Sequence, residues 1–153
     1  MKNVIILAAT LCCTALPASA FEIDNGGNVA AYAARIMSYH GVKRLDGYYH
    51  SSAALWLGNP GACIASRDTV IILHPVTSRA GPSAVTRDSP WNGIIPPTTS
   101  FDLNGNSYAS TLSRTPWGRR VYQTAAARGC FSNPAPCNFG ADELVAMGVP
   151  SCR

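Results

Sequence analysis

Ser51 and His74 have the residue types of a nucleophile and its general base. Ser51 opens the short predicted helix Ser51–Leu57, and His74 directly follows the apolar run Thr69–Leu73. A serine hydroxyl becomes nucleophilic when a histidine within hydrogen-bond reach accepts its proton. The pair therefore predicts acyl-transfer chemistry, with Ser51 as nucleophile and His74 as base. His50, the neighbour of Ser51, is the second candidate for the base.

The turn Asp24-Asn25-Gly26-Gly27 adds a candidate oxyanion hole. It joins a very short predicted strand, Phe21–Ile23, to the first helix. Glycine lets the backbone approach a ligand closely, and a helix N-terminus presents amide N–H groups to an anion. The amides of Gly27 and Ser52 are the predicted donors. Each feature also has an ordinary structural explanation as a tight turn, a helix N-cap or a hydrogen-bonded histidine.

Alternating helices and strands must position these residues. An apolar stripe at helical spacing predicts a first helix, formed by Val29, Tyr32, Ala33, Ile36 and Met37. Short strands are predicted at Val42–Leu45 and Thr69–Leu73, the second buried on both faces because its apolar run is continuous. This order predicts an α/β fold with parallel strands. Ligands bind at the shared carboxyl edge of such strands, where both Ser51 and His74 would lie.

The second half of the chain begins with a long loop-rich segment. Residues 76–116 are dominated by Ser, Thr, Pro, Gly and Asn and are predicted to form an irregular insertion. Thr115-Pro116 is a suitable N-cap and first residue for a helix running to Arg128. A further helix is predicted at Ala141–Met147, with Gly148 as its stop. The Trp and Tyr residues of this half either fill the core or form a binding surface; they are Trp91, Tyr108, Trp117 and Tyr122.

Residues 1–20 have the pattern of a secretory signal peptide. A short basic start precedes the apolar run Val4–Leu16, and Ala18-Ser19-Ala20 has the small residues of a cleavage site. Cleavage near Ala20 predicts a periplasmic or secreted protein with one domain, residues 21–153. No later stretch approaches the about 18 apolar residues of a membrane span, so no stable membrane anchor is predicted.

Four cysteines follow the predicted cleavage site. An even count in an exported domain indicates two disulfides. Of the three possible connectivities, the favoured one pairs Cys130 with Cys137 across a Pro-rich loop and Cys63 with Cys152 at the C-terminus. The sequence contains no Cys-x-x-Cys pair, and its histidines lie far from the cysteines, so neither a metal nor another cofactor is predicted.

The charge balance gives little support to a nucleic-acid partner. The sequence has 12 Lys and Arg against 8 Asp and Glu, and the surplus is scattered along the chain rather than clustered. No nucleic-acid binding is therefore expected.

Four segments resemble the Clp-protease-like serine peptidases of the crotonase-type fold. They are similar to the family's glycine-rich turn, nucleophile segment, base segment and late helix, and they span residues 23–27, 47–58, 63–75 and 138–149. The resemblance covers most of the chain after residue 20 except residues 76–107. It implies a small, truncated Clp-protease/crotonase-like βαβ core with a long irregular insertion. It also implies Ser51 as nucleophile, His74 as base, and the Gly27 and Ser52 amides as oxyanion hole.

Departures from the family leave two functions open. The acidic third member of the family's triad precedes the late helix, where this chain has Cys137-Asn138; Asn138 is therefore predicted to orient His74. The helical handle of ring-forming Clp subunits is replaced by the insertion, so no ATPase partner is expected. One function is an exported serine hydrolase acting on a peptide or ester. The other is a catalytically inactive member of this fold that serves as a periplasmic binding or structural protein.

Overall fold

A computed structural model describes residues 21–77, 94–95, 108–133 and 135–153. The predicted signal peptide, Trp91 and most of the predicted insertion lie outside these described residues. Within them, no helix is long and apolar enough to cross a membrane.

Helices separate strands through the first part of the chain. The sequence predicted the strands near Val42–Leu45 and Thr69–Leu73 but missed those at Gly47–His50, which directly precedes Ser51, and at Ala62–Ile64. The elements in order are β1 (Glu22–Asp24), α1 (Val29–Ser38), β2 (Lys43–Leu45), β3 (Gly47–His50), the 3₁₀ helix η1 (Ser51–Gly58), β4 (Ala62–Ile64) and β5 (Val70–Leu73). After them come β6 (Val76–Thr77), β7 (Ile94–Ile95), α2 (Tyr108–Leu112), α3 (Pro116–Ala127), β8 (Cys137–Gly140) and α4 (Ala141–Ala146).

A four-stranded sheet with the order β1-β3-β5-β8 forms the centre of the fold. β1, β3 and β5 are parallel, and β8 joins the edge of β5 in the antiparallel direction. β2 and β4 form a second, parallel pair, and Ser151 bridges to Ile64 beside it. The structure thus confirms a mixed α/β fold in which helices connect parallel strands.

One face of the main sheet carries a fully buried row of side chains. Tyr49, Ile71 and Phe139 form a row across three strands and are each 0% exposed. On β5 the alternate residues Val70 and Ile72 are half-buried, so the prediction that this strand is buried on both faces is wrong. All four residues of β5 are apolar, so its sequence lacks the alternation of polar and apolar residues that would indicate an exposed face. Val70 and Ile72 nevertheless face outward.

The 3₁₀ helix η1 lies inside the core, and two later helices pack against it. Every residue from Ser52 to Gly58 is buried. At Gly58 an added Cβ would lie 2.1 Å from the carbonyl oxygen of Thr111, so η1 and α2 are in backbone contact. The prediction of irregular chain at Tyr108–Leu112 is therefore wrong, because this helix contributes Leu112, which is 0% exposed, to the core.

The N-cap of α3 also contacts η1. Thr115 Oγ1 accepts a hydrogen bond from Gly118 N at 2.9 Å and donates one to Leu57 O at 2.7 Å. The predicted cap at Thr115-Pro116 is confirmed. Two aromatic residues on α3, Trp117 and Tyr122, are partly buried against the core, which favours the core-filling interpretation for this pair.

Both predicted disulfides are present. Cys63–Cys152 joins residues separated by 89 positions, and Cys130–Cys137 closes a loop with a separation of 7. The first bridge holds the C-terminus beside β4, where Cys152 N also donates to Ile64 O at 2.8 Å. A disulfide restricts the unfolded chain more strongly when it closes a longer loop. By this entropic argument, Cys63–Cys152 is the more stabilising of the two bridges.

Candidate active site

The carboxyl ends of three parallel strands meet at one edge of the main sheet. β1 ends at Asp24, β3 at His50 and β5 at Leu73. The glycine turn, Ser51 and His74 follow these three ends directly. The structure therefore places together the three segments from which the catalytic prediction was made.

Ser51 has an unusual backbone conformation. It is the only non-glycine residue with a positive φ in the described part of the chain, with φ 60°. This left-handed region is sterically unfavourable for a residue with a Cβ and costs on the order of 1–3 kcal/mol. The residue lies at the junction between β3 and η1. In α/β-hydrolases a sharp, strained strand-to-helix turn presents the nucleophilic serine at the top of a sheet.

The glycine turn packs directly against this junction. Gly26 has φ 71°, and a Cβ added there would lie 2.5 Å from His50 O and 2.9 Å from Ser52 N. A residue with a side chain would therefore collide with the backbone on both sides of Ser51. The Gly26 amide donates to Asp24 Oδ1 at 3.0 Å, and the Tyr32 hydroxyl donates to the same oxygen. These bonds fix the turn at the edge of the sheet.

Ser52 joins η1 to the glycine turn through two hydrogen bonds. Its Oγ accepts from Gly27 N at 2.6 Å and donates to Gly27 O at 2.9 Å, and the residue is 0% exposed. The Gly27 amide, one of the two predicted oxyanion donors, is therefore hydrogen-bonded within the protein. Its donation to a substrate stays a prediction, as does that of the Ser52 amide.

His50 and His74 lie against each other at the same edge. Their ring centroids are 4.7 Å apart and the rings are inclined by 32°. His74 Nδ1 is 2.7 Å from Pro75 O. Because a carbonyl oxygen only accepts, Nδ1 carries the hydrogen in this bond, and the neutral ring has its lone pair on Nε2. That nitrogen is the one required to accept a proton from a serine.

The surroundings of His50 disfavour its charged form. Partial burial and the nearby His74 lower the pKa of His50 below its ordinary value of 6.5. Sequence reasoning placed His50 second because neighbouring residues on a turn usually point apart. The sequence signal that was missed is the two-residue alternation of β3. It places the side chains of Tyr48 and His50 on the same face of the sheet.

Asn138 lies on β8, on the same side of the sheet as the histidines. It is exposed and pairs with Ile72, which in turn pairs with His50. The Nδ1 partner of His74 is Pro75 O, so a backbone carbonyl already orients the ring. A role for Asn138 in orienting His74 stays a prediction.

No metal centre accompanies these groups in the part of the chain that the structure describes. Among those residues, no group of three or more His, Cys, Asp and Glu is arranged to hold an ion.

No protein-family model, curated protein or solved structure matches this chain. The geometry and chemistry of the site are therefore the basis for assigning a function.

Proposed function

We propose that the protein is an exported serine hydrolase in which Ser51 attacks the carbonyl carbon of a peptide or ester. The observation that carries this proposal is the left-handed backbone of Ser51, with φ 60°, at a strand-to-helix junction that directly follows His50, whose ring contacts that of His74. Strained residues persist where the surrounding structure enforces them, and they cluster at active sites. The predicted signal peptide and the two disulfides support an exported protein.

The fold around the site supports the Clp-protease-like core that the sequence resemblance implies. β1, β3 and β5 bring the glycine turn, the serine and the histidine to one edge in that chain order. Parallel strands joined by helices are the framework that this order requires. A truncated crotonase-type core is accordingly part of the proposal.

In the proposed reaction, His74 Nε2 accepts the hydroxyl proton as Ser51 Oγ bonds to the carbonyl carbon. The resulting imidazolium then donates that proton to the leaving group as its bond to the carbonyl carbon breaks. A water molecule, deprotonated by the same nitrogen, then attacks the acyl carbon, and the imidazolium returns the proton to Ser51 Oγ as the bond between the acyl carbon and Oγ breaks. Pro75 O at 2.7 Å from Nδ1 fixes the tautomer and lies against the developing positive charge, a task that a carboxylate performs in the usual triad.

Two amides at the start of η1 and in the glycine turn would stabilise the oxyanion. The Ser52 amide lies in the first turn of η1. The Gly27 amide would have to exchange its bond to Ser52 Oγ for one to the substrate. Loss of one such donor in other hydrolases costs about 2.7–4 kcal/mol of transition-state stabilisation.

Hydrolysis of p-nitrophenyl acetate by the purified, disulfide-intact protein tests this proposal. We expect Ser51→Ala to reduce the rate to background and His74→Gln to reduce it by about 10²–10⁴-fold. Ser38→Ala is the matched control, because this exposed serine bonds only locally, to Arg35 O at 3.0 Å. Wild-type turnover that survives in Ser51→Ala would reject Ser51 as nucleophile.

A catalytically inactive binding or structural protein is the second candidate. The observation that favours it is the bond from Gly27 N to Ser52 Oγ, which fills the position where an oxyanion would accept. On this alternative, the folded wild type and Ser51→Ala would hydrolyse the ester equally slowly.

A further inference from the structure

We propose that the outward face of the main sheet, beside Ser51, binds an uncharged apolar acyl group of the substrate. This inference rests on the proposed hydrolase and adds the class of substrate. The acyl-binding face is defined here as the side chains of Phe21, Ile23, Tyr48, Val70 and Ile72.

Large apolar residues are concentrated on this face. Phe21 is 48% exposed, Ile23 66% and Tyr48 42%, and these are three of the six large hydrophobic residues that are exposed in the described part of the chain. The Phe21 ring packs edge-on against the Tyr48 ring, with centroids 5.3 Å apart. Single exposed apolar side chains are common, whereas a contiguous group of them marks a binding surface.

Strand register connects this group to the catalytic edge. Ile23, Tyr48 and Val70 are aligned across β1, β3 and β5. The next row on the same face contains His50 and Ile72, two residues and about 6–7 Å closer to the carboxyl ends. His74 follows two residues after Ile72. The apolar row therefore leads directly to the two imidazoles and to the Ser51 junction.

The face lacks charge, which determines what it can bind. Among the described strand residues that point outward here, none is Asp, Glu, Lys or Arg. The two acids of β1 have partners elsewhere: Glu22 accepts from Lys43 and Tyr49, and Asp24 accepts from Tyr32. A charged substrate group would lose hydration here without gaining an ion pair. A neutral alkyl or aromatic acyl group would bury apolar surface favourably.

Acyl-chain length gives a direct test. We expect kcat/KM for p-nitrophenyl esters to rise about 3–4-fold per added methylene between acetate and hexanoate, the factor that corresponds to one buried CH₂. Ile23→Ser and Tyr48→Ser should each flatten this dependence, lowering kcat/KM for the hexanoate ester more than for the acetate ester. Val145→Ser is the control, because Val145 is similarly exposed, at 42%, but lies on α4. A length dependence that is unchanged in both face variants, or that is absent in the wild type, would overturn the proposal.

A binding measurement separates this inference from the hydrolase proposal. N-phenylhexanamide and N-phenylacetamide, which are stable amides, can be titrated calorimetrically into wild type and Ser51→Ala. Tighter binding of the hexanamide that is lost in Tyr48→Ser supports the acyl-binding face, even where ester turnover proves independent of Ser51. If turnover depends on Ser51 but the two amides bind equally well, the hydrolase proposal would stand and the acyl-binding face would be rejected.

Discussion

The backbone of Ser51 adopts a conformation that glycine would adopt at lower cost. Its φ of 60° is maintained at a junction where the glycine turn packs against the residues on either side. Functional sites in proteins commonly retain such strain because the working geometry requires it. The hydroxyl of Ser51, rather than the stability of the fold, is therefore the expected reason for a serine at this position.

Ser51→Gly should consequently stabilise the protein while abolishing hydrolysis. Removing the Cβ relieves the left-handed strain, so the free energy of unfolding should rise by about 1 kcal/mol. Urea unfolding monitored by circular dichroism measures this change. In contrast, Ser38→Gly, near the end of α1, should lower stability by up to about 1 kcal/mol. A Ser51→Gly protein less stable than the wild type would show that the interactions of Ser51 outweigh its backbone strain.

At the scale of elements, the sequence predicted those whose ends have strong local signals. Asn28 and Thr115 cap α1 and α3 with side-chain hydrogen bonds, and helical spacing identified the first of these helices. α2 was missed because its segment, Tyr-Ala-Ser-Thr-Leu, is short and lies within a Ser/Thr-rich region. Its helical structure depends on packing against η1, and local composition does not report tertiary contacts.

For the candidate site, the sequence predicted which segments meet but not the side-chain contacts between them. Strand order brought Ser51 and His74 to one edge, but a linear sequence does not report the contact between the His50 and His74 rings. It also does not reveal that Ser52 Oγ occupies the Gly27 amide or that Pro75 O holds the imidazole. These contacts join residues through the folded backbone, and none has a sequence motif of its own.

The glycine turn offers a matched pair of variants at adjacent positions. Gly26 has φ 71° and no room for a Cβ, whereas a Cβ at Gly27 would make an ordinary contact of 3.7 Å with the Tyr32 ring. Gly26→Ala should lower the free energy of unfolding by at least about 1–2 kcal/mol from the backbone conformation alone. Gly27→Ala should change it by no more than about 0.5 kcal/mol. If both substitutions lower the free energy of unfolding equally, in thermal or urea unfolding, the turn does not hold the Ser51 junction in its conformation.

At the scale of the whole molecule, a small mixed sheet contains both the proposed catalytic edge and, among the described residues, a partly exposed apolar face. The buried face is packed by the core, and Cys63–Cys152 fastens the C-terminus beside β4. The opposite face contains Phe21, Ile23 and Tyr48, and His50 lies in the next row of the same face. In the proposed hydrolase, this one sheet would both position the nucleophile and bind the acyl group that it attacks.

Labelling with a serine-directed fluorophosphonate is the most direct measurement of an activated nucleophile in this protein. The disulfide-intact chain, without residues 1–20, would be treated and its intact mass and peptide map recorded. We expect one adduct, located on Ser51, that is absent in Ser51→Ala, strongly reduced in His74→Gln and retained in Ser38→Ala. A folded protein that forms no adduct, or forms one at another serine, would contradict the assignment of Ser51 as the nucleophile.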